Sequence, residues 1–497
     1  MDIADDNWRT AADALSIEAR AFIDGDYRPS MSGEIRMLTR PADGTPLADV
    51  AECSIQDVDQ AVKVARKTFE SGVWSRKAPG DRKAIMVRWS ELMQAHASEL
   101  ALLETLDAGK PIGDTTGDDV PSAIRTIRWS GEVIDKLYDE ISPSPASTLA
   151  LVQRLPLGVV AAVVPFNFPI STTAWKLGPA LATGNSVIVK PSENTPLTAI
   201  RIAGLAAEAG LPPGVLQVLP GDGPTIGGHL ARHPDVDGVT FTGSTAVGKR
   251  IMQDAAQSNL KRVFLELGGK SPNIVFGDAN LDKAAAGAAL AVFYNGGQTC
   301  TAGTRLFVEN SAHDAFVEKV LAHCQDWHPG DPLDPDTTMG PLISEKQFET
   351  VSSYVSVGRQ EGASLVAGGN QTHLDSGGYY HEPTVFTGVR NDMRIAREEI
   401  FGPVLSVIGF DSADEAIALA NDSIYGLAGA VWTQNINTAH KVANALRVGT
   451  MTVNNYFGGD ITVPFGGFKQ SGNGRDKSIH AFDDYTELKT TWFEFDD

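Results

Sequence analysis

The sequence predicts an α/β protein of two doubly wound parallel sheets, with a small β arm added to them. Three observations lead there. Between residues 157 and 266, short apolar runs bounded by Gly or Pro alternate with amphipathic stretches at helical spacing. A second set of the same kind starts at about residue 280. Two further segments, 147–156 and 485–495, are β-rich and have no helix between them to cover their faces.

The elements follow in order. Residues 54–71 (SIQDVDQAVKVARKTFES) carry a Ser at the N-cap position and apolar residues at helical spacing. Residues 80–107 give two more helical patterns, so the N-terminal region reads as helical. From 157 the texture changes. VVAAVVP is a short buried strand that stops at Pro165, WKLGPALATG (175–184) a helix ending in Gly, and SVIVKPS the next strand. A helix at PLTAIRIAGLAAEAGLP, a strand at GVLQVLPG, a helix at PTIGGHLARHP and a strand at VDGVTFTGS follow. A helix at TAVGKRIMQDAAQS and a strand at RVFLELGG complete the first unit. Such alternation implies parallel strands with helices on both faces. The second unit has a helix at 280–294, then TRLFVEN, VLSVIGF and GAVWTQ as strands, with helices at AHDAFVEKVLAHCQDW and SADEAIALANDS. STLALVQRLP and YTELKTTWFEF are expected to pair with each other as an arm. Exposed edges of that sort complete themselves against another subunit, so the arm reads as an oligomerisation element.

A chain of 497 residues is too long for one ordinary core and points to two or three domains. With 42% hydrophobic and 21% charged residues it has the composition of a soluble enzyme. The net charge of −21 argues against nucleic acid, whose phosphates need clustered Lys and Arg. Cys53, Cys300 and Cys324 are far apart and odd in number. They make neither a disulfide framework nor zinc-ligand spacing, which suits a reduced, cytoplasmic setting and no metal. The opening MDIADDNWRT is acidic and lacks the apolar stretch of a signal peptide. The longest apolar run, Leu157 to Pro165, is far too short to span a bilayer, so no membrane partner is expected.

Ligands of a parallel sheet bind where loops leave the carboxyl ends of strands, and there the first unit offers a nucleotide site. In FTGSTAVG (241–248) Gly243 admits a close backbone approach. Ser244 can cap the following helix and donate to a phosphate, and the helix N-terminus favours an anion. The loop lacks the G-x-G-x-x-G spacing, so alone it also reads as an ordinary capped turn. At VKPSEN (189–194) Lys190 supplies a positive donor. Glu193 can accept both ribose hydroxyls and repel a 2′-phosphate, which favours NAD over NADP. Alone, that pair reads equally as a solvated turn.

NGGQTC (295–300) places Cys300 in a glycine-rich polar loop between a helix and a strand. Backbone donors and freedom from apolar burial there would favour a thiolate. The two glycines are expected to keep side chains out of the reaction space. A free cysteine by itself is more often inert packing. Glu266 ends the apolar strand in FLELGGK. It is a candidate general base, its pKa raised by desolvation, or else a strand end in water. Asn167, between two phenylalanines and two prolines in VPFNFP, is a candidate amide donor to an oxyanion.

PFNFP, KPSE, FTGS, LELGGK, NGGQTC, EEIFGP and PFGGFKQSGNGR stand in the order and at about the spacing of the aldehyde dehydrogenase superfamily. From about residue 20 to the C-terminus the chain resembles that family. What the resemblance implies attaches residue by residue. Cys300 corresponds to the nucleophile, Glu266 to the general base, Asn167 to the oxyanion amide and Lys176 to a lysine supporting that pocket. Lys190 and Glu193 correspond to contacts of the adenosine ribose. Gly223, Phe241, Gly243, Ser244 and Val247 correspond to the pyrophosphate and adenine pocket, and Gln347, Glu399 and Phe401 to the nicotinamide-ribose side. Val164, Pro165, Phe166 and Leu267 join the cofactor wall. The implied cofactor is NAD, with NADP less favoured. The implied division is a cofactor domain of 1–137 and 157–266, a catalytic domain of 267–466 and an oligomerisation arm of 138–156 and 467–497, in a homodimer or homotetramer. The implied reaction turns an aldehyde into its acid. Cys300 attacks, hydride leaves to the nicotinamide, and Glu266 activates the water that releases the thioester. A carboxylate at 266 favours hydrolysis over transfer to coenzyme A.

The resemblance also places Asp118, Asp119, Trp175, Thr299, Thr301, Asp460 and Phe465 along a substrate tunnel. TLDAGKPIGDTTGDDVPSAIRTIRW, NNYFGGDITVPFGG and the C-terminal stretch resemble family members that oxidise ω-aminoaldehydes in putrescine breakdown, with Phe166 where Trp stands there. Carboxylates at 118, 119 and 460 would favour a cationic or amide-bearing aldehyde. Asp476 stands where the family commonly has Glu after Gly-Arg, which puts a proton-relay role at that position in question. The alternatives are a broad-range aliphatic or semialdehyde enzyme and, outside the family, a cofactor-free cysteine hydrolase or a non-catalytic binding protein. A hydrolase has no need of Glu193, Ser244 and Glu399.

Overall fold

The computed structural model describes residues 7–496; the acidic opening at 1–6, read above as no signal peptide, lies outside them. Two seven-stranded sheets carry the architecture. Across the first run Arg262–Glu266, Gly238–Thr242, Val159–Val163, Ser186–Lys190 and Leu216–Val218, all parallel. Val159–Val163 and Ser186–Lys190 are buried along their whole length, as continuous apolar runs covered on both faces should be. Val159–Val163 comes first of these five in the chain, and its successors lie on both sides of it. The order therefore reverses between it and Gly238–Thr242, and a crevice opens at the carboxyl ends there.

The second sheet runs Ser364–Ala367, Thr384–Thr387, Val404–Phe410, Arg305–Glu309, Pro272–Val275, Ala428–Trp432 and Thr450–Val453, parallel except for the first pair. Two doubly wound units are present, as the sequence predicts. The two β-rich segments come together: Thr486–Glu494 pairs antiparallel with Thr148–Pro156 along its full length, and Glu140–Ser142 adds a third strand. Leu488, Trp492 and Phe493 of this arm stay exposed. Among the described residues no helix is long and apolar enough to cross a membrane.

The N-terminal region is helical over 54–107 as expected, and carries strands before that stretch. Helices form at Ile55–Ser71, Pro79–Ala95 and Ala97–Ala108. However, Ala21–Ile23 and Asp26–Arg28 extend the edge of the first sheet as an antiparallel hairpin. Its signal is Asp24-Gly25, both left-handed, which turns the chain in two residues. The helix expected from Trp175 starts earlier, at Pro169, where a missing N–H is harmless; β-branched Ile170, Thr172 and Thr173 obscured it. PTIGGHLARHP winds first as a π-turn, Gly223–Gly227, and only then as an α-helix to Arg232.

The C-terminal segment returns to the first sheet before joining the arm. Gly472 bridges Glu266, and Leu267 N–H donates to Ser471 O at 2.9 Å. The end of the Arg262–Glu266 strand is thereby held against the loop that carries Asp476.

Candidate functional site

One cavity of about 1430 Å³ is lined from the ends of both sheets. That is more than the roughly 300–1,000 Å³ of an ordinary single-ligand pocket, so it has room for two ligands. Every residue named above for nucleophile, base, oxyanion, cofactor or tunnel lines it, except Lys176.

The loop that carries Cys300 owes its shape to Asn-Gly-Gly. Asn295, Gly296 and Gly297 are all left-handed, at φ 54, 60 and 73°. A Cβ on Gly297 would lie 2.2 Å from the Gly402 backbone. The glycines therefore turn the chain and let it pack, instead of clearing the reaction space as expected. Gly269 lets the other wall close in: a Cβ there would stand 2.3 Å from Cys300 O. The turned loop is bonded to the PFNFP loop in both directions. Asn167 Nδ2 donates to Gln298 O at 2.8 Å, and Asn295 Nδ2 donates to Asn167 O at 3.0 Å. Asn167 thus has one amide hydrogen committed and one left for an oxyanion. Gln298 is pinned by Ile343 N–H, and Tyr456 OH donates to Thr301 O at 2.6 Å. Asn295, Gln298 and Tyr456 were not singled out from the sequence. Only the adjacency of Asn295 and Gln298 to Cys300 hinted at them.

The surroundings of Cys300 differ from the expected thiolate-favouring loop. The residue is partly exposed through the cavity, yet protein surrounds it. Burial pushes its pKa up to about 12, with the charges of Glu399 and Glu266 adding to this and the N–H groups of Thr301 and Cys300 opposing it. The free protein holds a thiol. Ionisation has to accompany ligands that offset those carboxylates.

Glu266 is 3% exposed, and neither carboxylate oxygen has a hydrogen-bond partner. Burial, and then the charge of Asp476, raise its pKa well above the ordinary value, against Lys176 and Arg475. Lys176, expected to support the oxyanion pocket, has its Nζ buried against the Asp476 carboxylate at 2.6 Å. Asp476, not Lys176, faces the cavity.

At the far end, Ser244 Oγ accepts Val247 N–H and caps the Thr245–Ala256 helix, whose N-terminus meets the cavity. Thr242 has a buried hydroxyl without a partner beside it. Lys190 Nζ holds Glu193 Oε2 at 3.0 Å; burial is the largest single influence and would raise the carboxyl, but the charge of Lys190, the hydrogen bonds to the carboxylate and the charge of Arg36 together lower its pKa. Helix N–H groups, an unpartnered hydroxyl, an ionised carboxylate and the apolar Val247 and Leu267 fit a dinucleotide. Glu399 accepts Gly269 N–H at 3.0 Å, and burial lifts its pKa to about 7. Gln347 spends its amide nitrogen on the carbonyls of Ile400 and Phe401, so it shapes the loop carrying Phe401, which packs edge-on against Phe166.

The tunnel corrects the expected acidic pair. Asp118 and Asp119 sit on a π-turn, Thr115–Asp119, that points them apart. Asp118 is exposed, whereas Asp119 is buried against Lys110 Nζ at 2.7 Å and offers no free charge. Lys110 also lies 3.8 Å from the Phe168 ring centroid and 3.5 Å from Asn167 O. Lys110→Met should strand the Asp119 carboxylate and cost about 3–5 kcal/mol of stability. Chemical denaturation measures this, and Asp119→Asn added to it should recover part of the loss. Away from the cavity, Asp59, His229 and His233 gather at the surface. His233 Nδ1 accepts Asp235 N–H, which leaves its Nε2 protonated toward Asp59 and unavailable to a metal.

Fold and cavity together define a dinucleotide-linked oxidoreductase. The chain belongs to the aldehyde dehydrogenase family, which matches residues 27–491. It is 51% identical over 490 residues to the NADP/NAD-dependent aldehyde dehydrogenase PuuC of Escherichia coli (strain K12), covering 98% of each chain. Among solved structures it is similar to the indole-3-acetaldehyde dehydrogenase AldA of P. syringae in complex with NAD+ and IAA (TM-score 0.98, 58% identity, 99% of this chain and 100% of that one). It is also similar to γ-glutamyl-γ-aminobutyraldehyde dehydrogenase of Burkholderia cenocepacia J2315 (TM-score 0.97, 56% identity, 99% and 100%). The protein is an oxidoreductase acting on aldehydes, and such enzymes use NAD(P).

Proposed function

We propose that this chain oxidises ω-aminoaldehydes, the γ-glutamyl derivative of γ-aminobutyraldehyde among them, to their acids, with NAD as the preferred cofactor and Cys300 as nucleophile. The observation that carries the chemistry is the meeting of Cys300, Asn167 and Glu266 in one cavity with the dinucleotide cradle. The Cys300 thiolate attacks the carbonyl carbon, and the oxyanion is met by the free Asn167 hydrogen and the Cys300 N–H. Lys190, Glu193 and the Ser244-capped helix would hold the cofactor, and Glu193 disfavours a 2′-phosphate. When bound, the nicotinamide supplies the hydride acceptor that makes oxidation possible. Glu266, as carboxylate, takes a proton from the water that hydrolyses the Cys300 thioester. The exposed apolar strand of the arm supports assembly with further copies, and the absence of paired cysteines suits a reduced, cytoplasmic setting.

For the substrate, similarity to PuuC and to the Burkholderia enzyme supports the aminoaldehyde reading. The aromatic tunnel walls, Trp175 and Phe465 with ring centroids 5.3 Å apart, favour indole-3-acetaldehyde as a second reading, in line with the P. syringae enzyme. A kcat/KM panel decides, using γ-aminobutyraldehyde, its γ-glutamyl derivative, betaine aldehyde, succinate semialdehyde, indole-3-acetaldehyde and propionaldehyde. The γ-glutamyl compound should exceed propionaldehyde by about tenfold or more. An indole or anionic semialdehyde optimum would sink the aminoaldehyde reading.

A further inference from the structure

The tunnel mouth carries both signs of charge. Lys477 lines it with its Nζ 4.7 Å from the Trp175 ring centroid and 6.0 Å from that of Phe465. The adjacent carboxylate that could have paired with it, Asp476, is taken by Lys176. Among the described residues Lys477 forms no ion pair, although it feels the charges of Asp476, Asp118 and Asp460, and of Arg125. Burial is the largest influence on it and pushes its pKa down.

The backbone that presents Lys477 is strained. Lys477 has φ 62°, and Ser478 has φ 54° with ψ 176°, a region that residues with a Cβ avoid. Neighbours enforce it. Phe465 and Asp476 exchange main-chain hydrogen bonds at 2.8 and 2.7 Å, and Ser478 N–H donates to Ile461 O at 2.7 Å. Strain at a position that turns an unpaired cation into a substrate tunnel indicates that the cation has a use there.

Opposite in sign stand Asp118 and Asp460. Thr462 N–H and hydroxyl bond the Asp460 carboxylate and hold its pKa below the usual range, so it is charged at neutral pH. In the same cavity, the Trp175 indole N–H and the Thr299 hydroxyl are buried without partners. Buried polar groups without partners in a binding tunnel invite a ligand that supplies them.

We propose that this mouth is a head-group subsite for an α-amino acid joined to the aldehyde through an uncharged amide. Lys477 receives the carboxylate, Asp118 and Asp460 receive the ammonium, and the Trp175 N–H and Thr299 hydroxyl receive the amide. The inference rests on the aminoaldehyde reading above and narrows it. A free ω-ammonium has to pass a desolvated Lys477 of like charge, whereas an acylated amine brings no charge to that depth. The subsite therefore selects the acylated substrate over the free amine.

The test compares γ-glutamyl-γ-aminobutyraldehyde with N-acetyl-γ-aminobutyraldehyde, which keeps the amide and lacks the head charges. The ratio of their kcat/KM values should exceed about ten in the unaltered protein and fall at least about tenfold in Lys477→Met, chiefly through KM. A ratio that Lys477→Met leaves within twofold overturns the subsite. A second measurement needs no variant: γ-glutamylpropylamine should inhibit with a Ki at least about tenfold below that of N-acetylpropylamine. Equal inhibition overturns the subsite as well. The aminoaldehyde reading is judged separately. If propionaldehyde or indole-3-acetaldehyde outruns both amides, that reading fails, while the glutamyl-to-acetyl ratio still reports on the head group.

Discussion

Replacing Cys300 with alanine is expected to lower kcat by on the order of 10⁴-fold or more while leaving dinucleotide binding in place. The proposed cofactor cradle, at Lys190, Glu193 and the Ser244-capped helix, shares the cavity but makes no hydrogen bond to Cys300. Cys53→Ala and Cys324→Ala serve as controls, and each should keep kcat within about twofold. The contrast is not one of acidity. Burial pushes Cys324 up to about 12 just as it does Cys300, and raises Cys53 too. Position decides: only Cys300 of the three lines the cavity. Its protonated resting state has its own readout. A thiol held near 12 is only about 10⁻⁴ ionised at pH 8, so alkylation of the cofactor-free protein should rise about tenfold per pH unit without levelling by pH 10. A plateau near pH 8.5 would show that the site ionises the thiol unaided. More than a tenth of the activity surviving in Cys300→Ala would remove the covalent mechanism.

Sequence showed the ends of strands better than it showed partners. Glu266, Ser244 and Glu193 each stand where an apolar run breaks into a polar turn, and that break is a local pattern. The two sheets were legible for the same reason, since a strand buried on both faces has to be apolar throughout. Pairing was not legible. Nothing near Lys110 announces that it will be buried against Asp119, nine residues away across a π-turn, or that Asp476 will take Lys176, 300 residues away. The sign of a charge can be read from the chain, but whether a neighbour cancels it depends on the fold. That is why Asp119 reads as a tunnel carboxylate and proves a satisfied ion pair, while Lys477 passed unremarked and is the cation left open. Strain hid as well. The left-handed Lys477 and Ser478 carry none of the Gly or Asn that would mark such a turn, because the fold imposes the conformation against local preference.

Glu266→Gln is expected to yield about one equivalent of reduced cofactor per active site and then stop, with turnover down on the order of 10³-fold. The reasoning starts from the unpartnered carboxylate. Neither oxygen is hydrogen-bonded, and a Cβ on Gly466 would stand 2.6 Å from one of them. A Gln of the same shape therefore breaks no contact. Burial disfavours the charged form of Glu266, and Gln keeps the volume of the side chain, so stability should move by less than about 1 kcal/mol. In the proposed mechanism acylation draws on Cys300 and Asn167, which the substitution leaves alone, so the burst should survive. Hydrolysis needs a group that accepts a proton from water, which Gln cannot do. The pH dependence follows with its sign. Because the Glu266 pKa is raised, its base form grows in over a higher pH range than that of an ordinary carboxylate, so deacylation in the unaltered protein should climb with pH through that raised value. Lys176 and Arg475 pull the value back down, so binding that brings further positive charge toward Glu266 should shift the rise to lower pH. In Glu266→Gln the climb should flatten. Full turnover in the variant would take Glu266 out of the base role. Loss of burst and turnover together, with dinucleotide still bound, would instead place it in the acylation step, as the acceptor of the Cys300 proton.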